Sequence, residues 1–251
     1  MQPIVSIALR AAQSAADKIN YTIENIDKLM DEGDSREDVL KKAFEDAAWR
    51  ARKAIRNAHT KHHIDSPQIG MEESREWDGQ SKWVVDVASG INNIKAGYPG
   101  FLVNVSLYTK DKIDVAAIVD PMSEDFMTAQ RGRGVQANER RVRAVYAPIA
   151  NATASLQTAD IDLITQWHSR TSELRMTGCG LLNFVHLAAG KTNVAVAQNL
   201  SPADMATAML IAQESGALTG NATGAPVKMD SGELMAAAPR LFKHIVASNM
   251  A

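Results

Sequence analysis

The apolar side chains of this chain change their spacing near Lys82, and that change limits the fold more than any other feature. Before it, Ile4, Ile7, Ala8, Ala11, Ala15, Ile19, Ile23 and Ile26 recur at three- and four-residue steps. Leu40, Phe44, Ala47, Ala48, Ala51 and Ile55 do the same, so each set forms one stripe of a helix. After it come Trp83-Val84-Val85, Phe101 to Tyr108, and Ile113 to Val119, runs rich in β-branched and aromatic residues. Lys110-Asp111-Lys112 between the last two reads as a hairpin turn. Striped helices need a surface to cover, and half-buried strands supply one. The order therefore predicts an α/β protein whose N-terminal helices pack on a mainly antiparallel sheet.

The first thirty residues are expected to be mainly helical, and Asp31-Glu32-Gly33-Asp34-Ser35 breaks the pattern. Ser35 and Asp38 have capping-box spacing and open a second helix, from about Arg36 to Ala58. Lys41, Lys42, Arg50, Arg52 and Lys53 lie mostly off its stripe and read as a solvated face. His59, His62 and His63 precede Asp65-Ser66-Pro67 and read as solvated loop histidines rather than a metal site. Between Ala144 and Arg175 the pattern weakens. Asn151-Ala152-Thr153-Ala154-Ser155 has linker-like composition, and one helix is expected from about Thr158 to His168. A second runs from Cys179-Gly180 through Ala189 with Gly190 as its C-cap, and Thr192 to Ala197 is a strand. Ser201, Pro202 and Asp204 match cap, first-turn proline and capping acid of another helix. From Gly216 the chain is Gly- and Ala-rich apart from a short helix near Pro239 to Ala247. The division expected is 1–145, carrying the helices and main sheet, and 146–251, a C-terminal α/β subdomain, the two making one structural unit.

Composition narrows the function classes. A net charge of −2 over 251 residues gives no general attraction to nucleic acid or anionic membrane. The most basic stretch is Arg131-Gly132-Arg133-Gly134 with Glu139 to Arg143; it lacks interleaved aromatics, so an RNA contact there is weakly supported. The single cysteine, Cys179, leaves no internal disulfide and no cysteine-based zinc cluster, which suits a reducing compartment such as the cytoplasm. No segment approaches about 18 apolar residues, so no membrane span is expected.

Chemistry is expected where Trp83-Val84-Val85-Asp86-Val87-Ala88-Ser89-Gly90 runs from an apolar strand into one carboxylate and a glycine turn. In α/β proteins, strand ends and helix N-termini collect anions and metals. Three further pieces fall in order around it: Gly70-Met71-Glu72-Glu73-Ser74, then Asp120-Pro121 with Arg131 to Gly134, then Ser201-Pro202-Ala203-Asp204. Together with Arg175-Met176-Thr177-Gly178 and Leu187-Ala188-Ala189-Gly190, this set resembles the inositol monophosphatase family, most closely its bacterial SuhB-type branch. The resemblance implies a layered α-β-α-β-α sugar-phosphatase fold with a second, smaller sheet, and commonly a homodimer. It implies Mg²⁺ held by Glu72, Asp86, the Ala88 carbonyl and Asp204, and phosphate held by the backbone at Gly90 and Ile91. Each residue also has a plainer reading: Glu72 as a loop acid, Asp86 as a turn former, Asp204 as the acid of its own capping box.

The departures from the family's pattern fall on the groups that do the work. Where the family has Asp-Pro-Ile/Leu-Asp-Gly-Thr, this chain has Asp86-Val87-Ala88-Ser89-Gly90-Ile91. Ser89 replaces a carboxylate of the second metal, and Ile91 replaces the threonine that would orient the attacking water. Phe44 stands where that threonine's aspartate partner is expected, and Ala197 where a substrate-contacting glutamate is. One charge lost at about 4 Å from a cation removes on the order of 4 kcal/mol of attraction at an effective dielectric of about 20. Lost proton acceptance alone costs about 10²–10⁴ in rate. The reading is thus a family member with lost or feeble phosphatase activity, holding Mg²⁺ at one weak site or not at all. The resemblance further implies a protein-binding role beside RNA polymerase and transcription-elongation factors in bacterial ribosomal RNA synthesis. The alternative is an active Mg²⁺-dependent phosphatase for inositol monophosphate or a related sugar phosphate.

Overall fold

A computed structural model describes residues 2–30, 35–221 and 223–249. The break expected at Asp31 to Asp34 lies outside them. The described chain is mixed α/β, with eight α-helices and two sheets, and it divides into two units, Met1–Thr128 and Ala129–Ala251.

In the first unit, helices α1 (Pro3–Glu24), α2 (Ile26–Leu29) and α3 (Arg36–Ala58) precede strands β1 (His63–Asp65) and β2 (Ser81–Ser89). Helix α4 (Ile91–Lys95) leads to strands β3 (Leu102–Thr109) and β4 (Lys112–Val119). Helix α1 starts on a first-turn proline, and α3 on the Ser35/Asp38 capping box. Their expected stripes are the buried ones. Ala8, Ala11, Ala12 and Ala15 meet Ala47, Ala48 and Ala51 in one core, small side chains that let two helices approach closely. β2 pairs antiparallel with β3, and β3 with β4; β1 adds a parallel edge beside β2. The β3–β4 turn places Lys110 and Asp111 at φ 51° and 60°, the left-handed pair that a two-residue hairpin requires. Between Asp86 and Ser89 the register of β2 slips against β3. Such a bulge re-aims side chains at a strand end, here the one carrying the expected site.

Two expectations fail in this unit. Arg52 is not on a solvated face: it is 5% exposed. Nor are the histidines solvated. His59 stacks on His62 with ring centroids 4.4 Å apart, His63 stacks on Trp77 at 4.4 Å, and Trp83 Nε1 donates to His62 Nδ1 at 2.9 Å.

Strand β5 (Phe126–Gln130) carries the chain across the division. The second unit continues with the hairpin β6 (Gly134–Ala137) and β7 (Arg140–Val142), then β8 (Thr153–Gln157), α5 (Ile161–Arg170) and β9 (Glu173–Arg175). It ends with α6 (Gly180–Ala188), β10 (Val194–Ala197), α7 (Pro202–Glu214), β11 (Leu218–Gly220), β12 (Leu234–Ala237) and α8 (Pro239–Asn249). Its five-stranded sheet runs β11-β12-β10-β8-β9 and is mixed. The linker-like stretch is thus largely a strand: Ala154, Ser155 and Leu156 are buried, and β8 pairs with β9 and β10. Strands β11 and β12 arise in the Gly- and Ala-rich ending where none was expected. The basic hairpin is anchored: Glu214, the last residue of α7, accepts from Gly132 N at 2.7 Å and from Gly134 N at 2.8 Å.

Candidate functional site

Asp86 is 8% exposed at the β2 bulge, and its Oδ1 accepts from Gln68 Nε2 and from Ala88 N, each at 3.1 Å. Gln68 in turn is braced by Ser66 Oγ at 3.1 Å, so the loop from Ser66 to Glu72 supports this carboxylate. Ser89 is buried, and Gly90 (φ 85°) caps the five-residue helix α4, on which Ile91 is exposed. Phe44 lies in the core of α3 and offers no polar group. In the second unit, Asp204 sits in the first turn of α7 with Ser201 Oγ accepting from its N–H at 3.1 Å, and Ala197 is buried at the end of β10.

Glu72 has a setting that the sequence did not disclose. Its backbone is fixed by two bonds with Ile64, at 2.7 and 3.0 Å. Its carboxylate is gripped by two guanidinium groups from α3, Arg56 Nε at 2.7 Å and Arg52 Nε at 3.5 Å. Arg52 also donates through Nη2 to the carbonyl of Gly70, which the left-handed φ of 75° at that glycine helps to present. Arg56 donates through Nη1 to the carbonyls of His59, Thr60 and His62 at 3.3, 2.8 and 3.0 Å, closing the C-terminal end of α3. Burial pulls the Arg52 guanidinium below the usual arginine range, and the neighbouring Glu72 charge pushes the other way. A signal for this was present: Arg52 lies four residues after Ala48 and three before Ile55, beside the apolar stripe, where a charge needs a counterion.

Glu72, as placed here, does not fit a magnesium ion. A hard cation needs carboxylate oxygens free to coordinate it, with their negative charge uncompensated. Here Glu72 is already neutralised by two cations and position 89 has no charge, while Asp86 accepts its bonds from Gln68 and Ala88 through Oδ1. Among the described residues no group of three or more His, Cys, Asp or Glu side chains is placed to hold a metal.

Comparison with known proteins settles the lineage. The model of the inositol monophosphatase family matches residues 1–250. The chain belongs to that family. Family relatives include the Nus factor SuhB of Vibrio cholerae, 29% identical over 258 residues covering 98% of this chain and 95% of that one. The Nus factor SuhB of Escherichia coli K12 is 28% identical over 258 residues, covering 99% and 96%. Among solved family folds, native extragenic suppressor protein SuhB from Bartonella henselae superposes with a TM-score of 0.86 at 20% identity, covering 98% of each chain. An inositol monophosphatase from Anabaena gives 0.81 at 18% identity, covering 98% of this chain and 94% of that one. The inositol monophosphatase fold is therefore kept from end to end.

Proposed function

We propose that this chain is a SuhB-like family member that has lost most or all phosphatase turnover and acts by binding other proteins, as a cytoplasmic factor in bacterial ribosomal RNA transcription. The observation that carries the first half is the Glu72 carboxylate held by Arg52 and Arg56. A carboxylate spent on guanidinium groups is not free to hold a metal, and Ser89, Ile91 and Phe44 supply neither a second carboxylate nor a means of activating water. The second half is supported by the relatives whose name is Nus factor SuhB. The β2 strand end and the Ser66 to Glu72 loop then form a rigid scaffold rather than a reaction centre.

The test is phosphate release from inositol monophosphate with millimolar Mg²⁺. Turnover is expected to be negligible for the native chain. The combined change Phe44→Asp, Ser89→Asp and Ile91→Thr is expected to restore little while Arg52 and Arg56 still hold Glu72, because groups that act as a unit are strongly non-additive. A native rate of about 1 s⁻¹ or more, abolished by Asp86→Asn, would replace this reading with that of an active Mg²⁺-dependent phosphatase. Association with RNA polymerase elongation complexes, assayed by co-sedimentation of the purified protein, tests the partner half separately.

A further inference from the structure

Helix α3 lines a cavity of about 600 Å³ whose wall includes Trp49, Arg50, Arg52, Lys53 and Arg56. That volume lies within the range of small-molecule sites. Four cations face two carboxylates, Asp46 and Glu72, leaving an excess of two positive charges. Both carboxylates are engaged: Glu72 by Arg52 and Arg56, and Asp46 by Lys18 at 3.2 Å. Arg50 and Lys53 are exposed and hold no ion pair among the described residues. Arg52 Nε, 3.5 Å from the Glu72 carboxylate, and Arg56 Nη2 are buried and make no hydrogen bond, so they add positive potential behind the wall without reaching a ligand. Trp49 is 55% exposed, with the Arg52 guanidinium 4.7 Å from its ring centroid.

An aromatic plane beside several cations suits a ligand that is itself an aromatic plane joined to an anion. Every nucleobase has a π-face to stack, and its phosphate seeks ammonium and guanidinium donors. An acidic peptide would meet the charge but leave the indole unused. We propose that this cavity binds a nucleotide unit, base against Trp49 and phosphate on Arg50, Lys53 and the Arg52/Arg56 side of the wall, with side-chain cations doing what a metal would do elsewhere. The unit comes either from a free mononucleotide or from a single-stranded RNA.

Calorimetric titration of the full chain in EDTA tests this, with AMP, adenosine, inorganic phosphate and a ten-residue oligoadenylate as probes. AMP or the oligonucleotide is expected to bind without added metal, and adenosine and phosphate each at least about tenfold more weakly. Trp49→Ala should weaken AMP by about tenfold, the size of one stacked base, and leave phosphate nearly unchanged. Arg50→Ala with Lys53→Ala should weaken both. These side chains are exposed, so a circular dichroism melt matching the native chain keeps the comparison valid. Oligoadenylate binding much tighter than AMP, with a salt dependence of several phosphates, assigns the site to RNA; equal affinities assign it to the free nucleotide. The proposal is overturned if neither probe binds at millimolar concentration, if binding requires Mg²⁺, or if it is unaffected by the Trp49 and Arg50/Lys53 changes. None of these readouts depends on phosphate release.

Discussion

Arg52 is 5% exposed, and it is tolerated there because Glu72 and the Gly70 carbonyl lie within its reach. Removing the anion separates two accounts of Glu72 by sign. In a metal cradle, carboxylates repel one another, and deleting one stabilises the empty protein. Here Glu72→Ala leaves two guanidinium groups facing each other without their shared carboxylate, with only the Asp65 charge still favouring the Arg52 cation. Because Glu72 is itself 35% exposed, solvent offsets part of that loss, and a destabilisation of about 1–3 kcal/mol is expected in urea unfolding. An unchanged or raised midpoint would refute the ion-pair account. The sequence disclosed the missing carboxylate at 89 and the missing hydroxyl at 91, since absences are visible in a string of letters. It did not disclose what Glu72 holds, because Arg52 and Arg56 are twenty and sixteen positions away and meet it only through the return of the loop from Ser66.

At the scale of elements, the end of α3 and the start of β1 are joined by the stacked imidazoles of His59 and His62. Burial lowers the proton affinity of both below the ordinary value of 6.5, reinforced at His62 by the His59 and Arg56 charges and opposed by Asp78. The unfolded chain therefore takes up protons as pH falls through about 6.5, while the folded chain resists until lower pH. Stability from this pair is present above that point and is lost as pH falls toward the folded values. The thermal midpoint is expected to drop between about pH 7.5 and about pH 5.5, with a shallower slope in His59→Asn. Equal slopes would show that the stack carries none of the dependence. The helices were legible at this scale, down to the capping box, because their stripes run over many turns. The strands of the second sheet were not. β12 is Leu234-Met235-Ala236-Ala237, buried throughout, so it has no alternation to read, and β8 takes its place from pairing partners on both sides rather than from strong strand formers.

Across the whole chain, what was legible was lineage: an ordered set of short pieces, none specific alone, spread from Glu72 to Asp204. From the family resemblance alone we propose that this protein is a homodimer. Light scattering at micromolar concentration is expected to return about twice the chain mass of 27.2 kDa, and a monomeric value would refute it. One long-range contact in the second unit has a separate kinetic consequence. Glu214 ends α7, where a carboxylate faces the partial negative charge of the helix terminus, yet it reaches 82 and 80 positions back to hold two glycine amides in the basic hairpin. Those amides sit in a surface turn that would otherwise trade hydrogen for deuterium rapidly. With their acceptor supplied by a distant helix, they are expected to exchange slowly, at a rate set by the opening of α7, and Glu214→Ala should release both at once while leaving the interior of α7 protected.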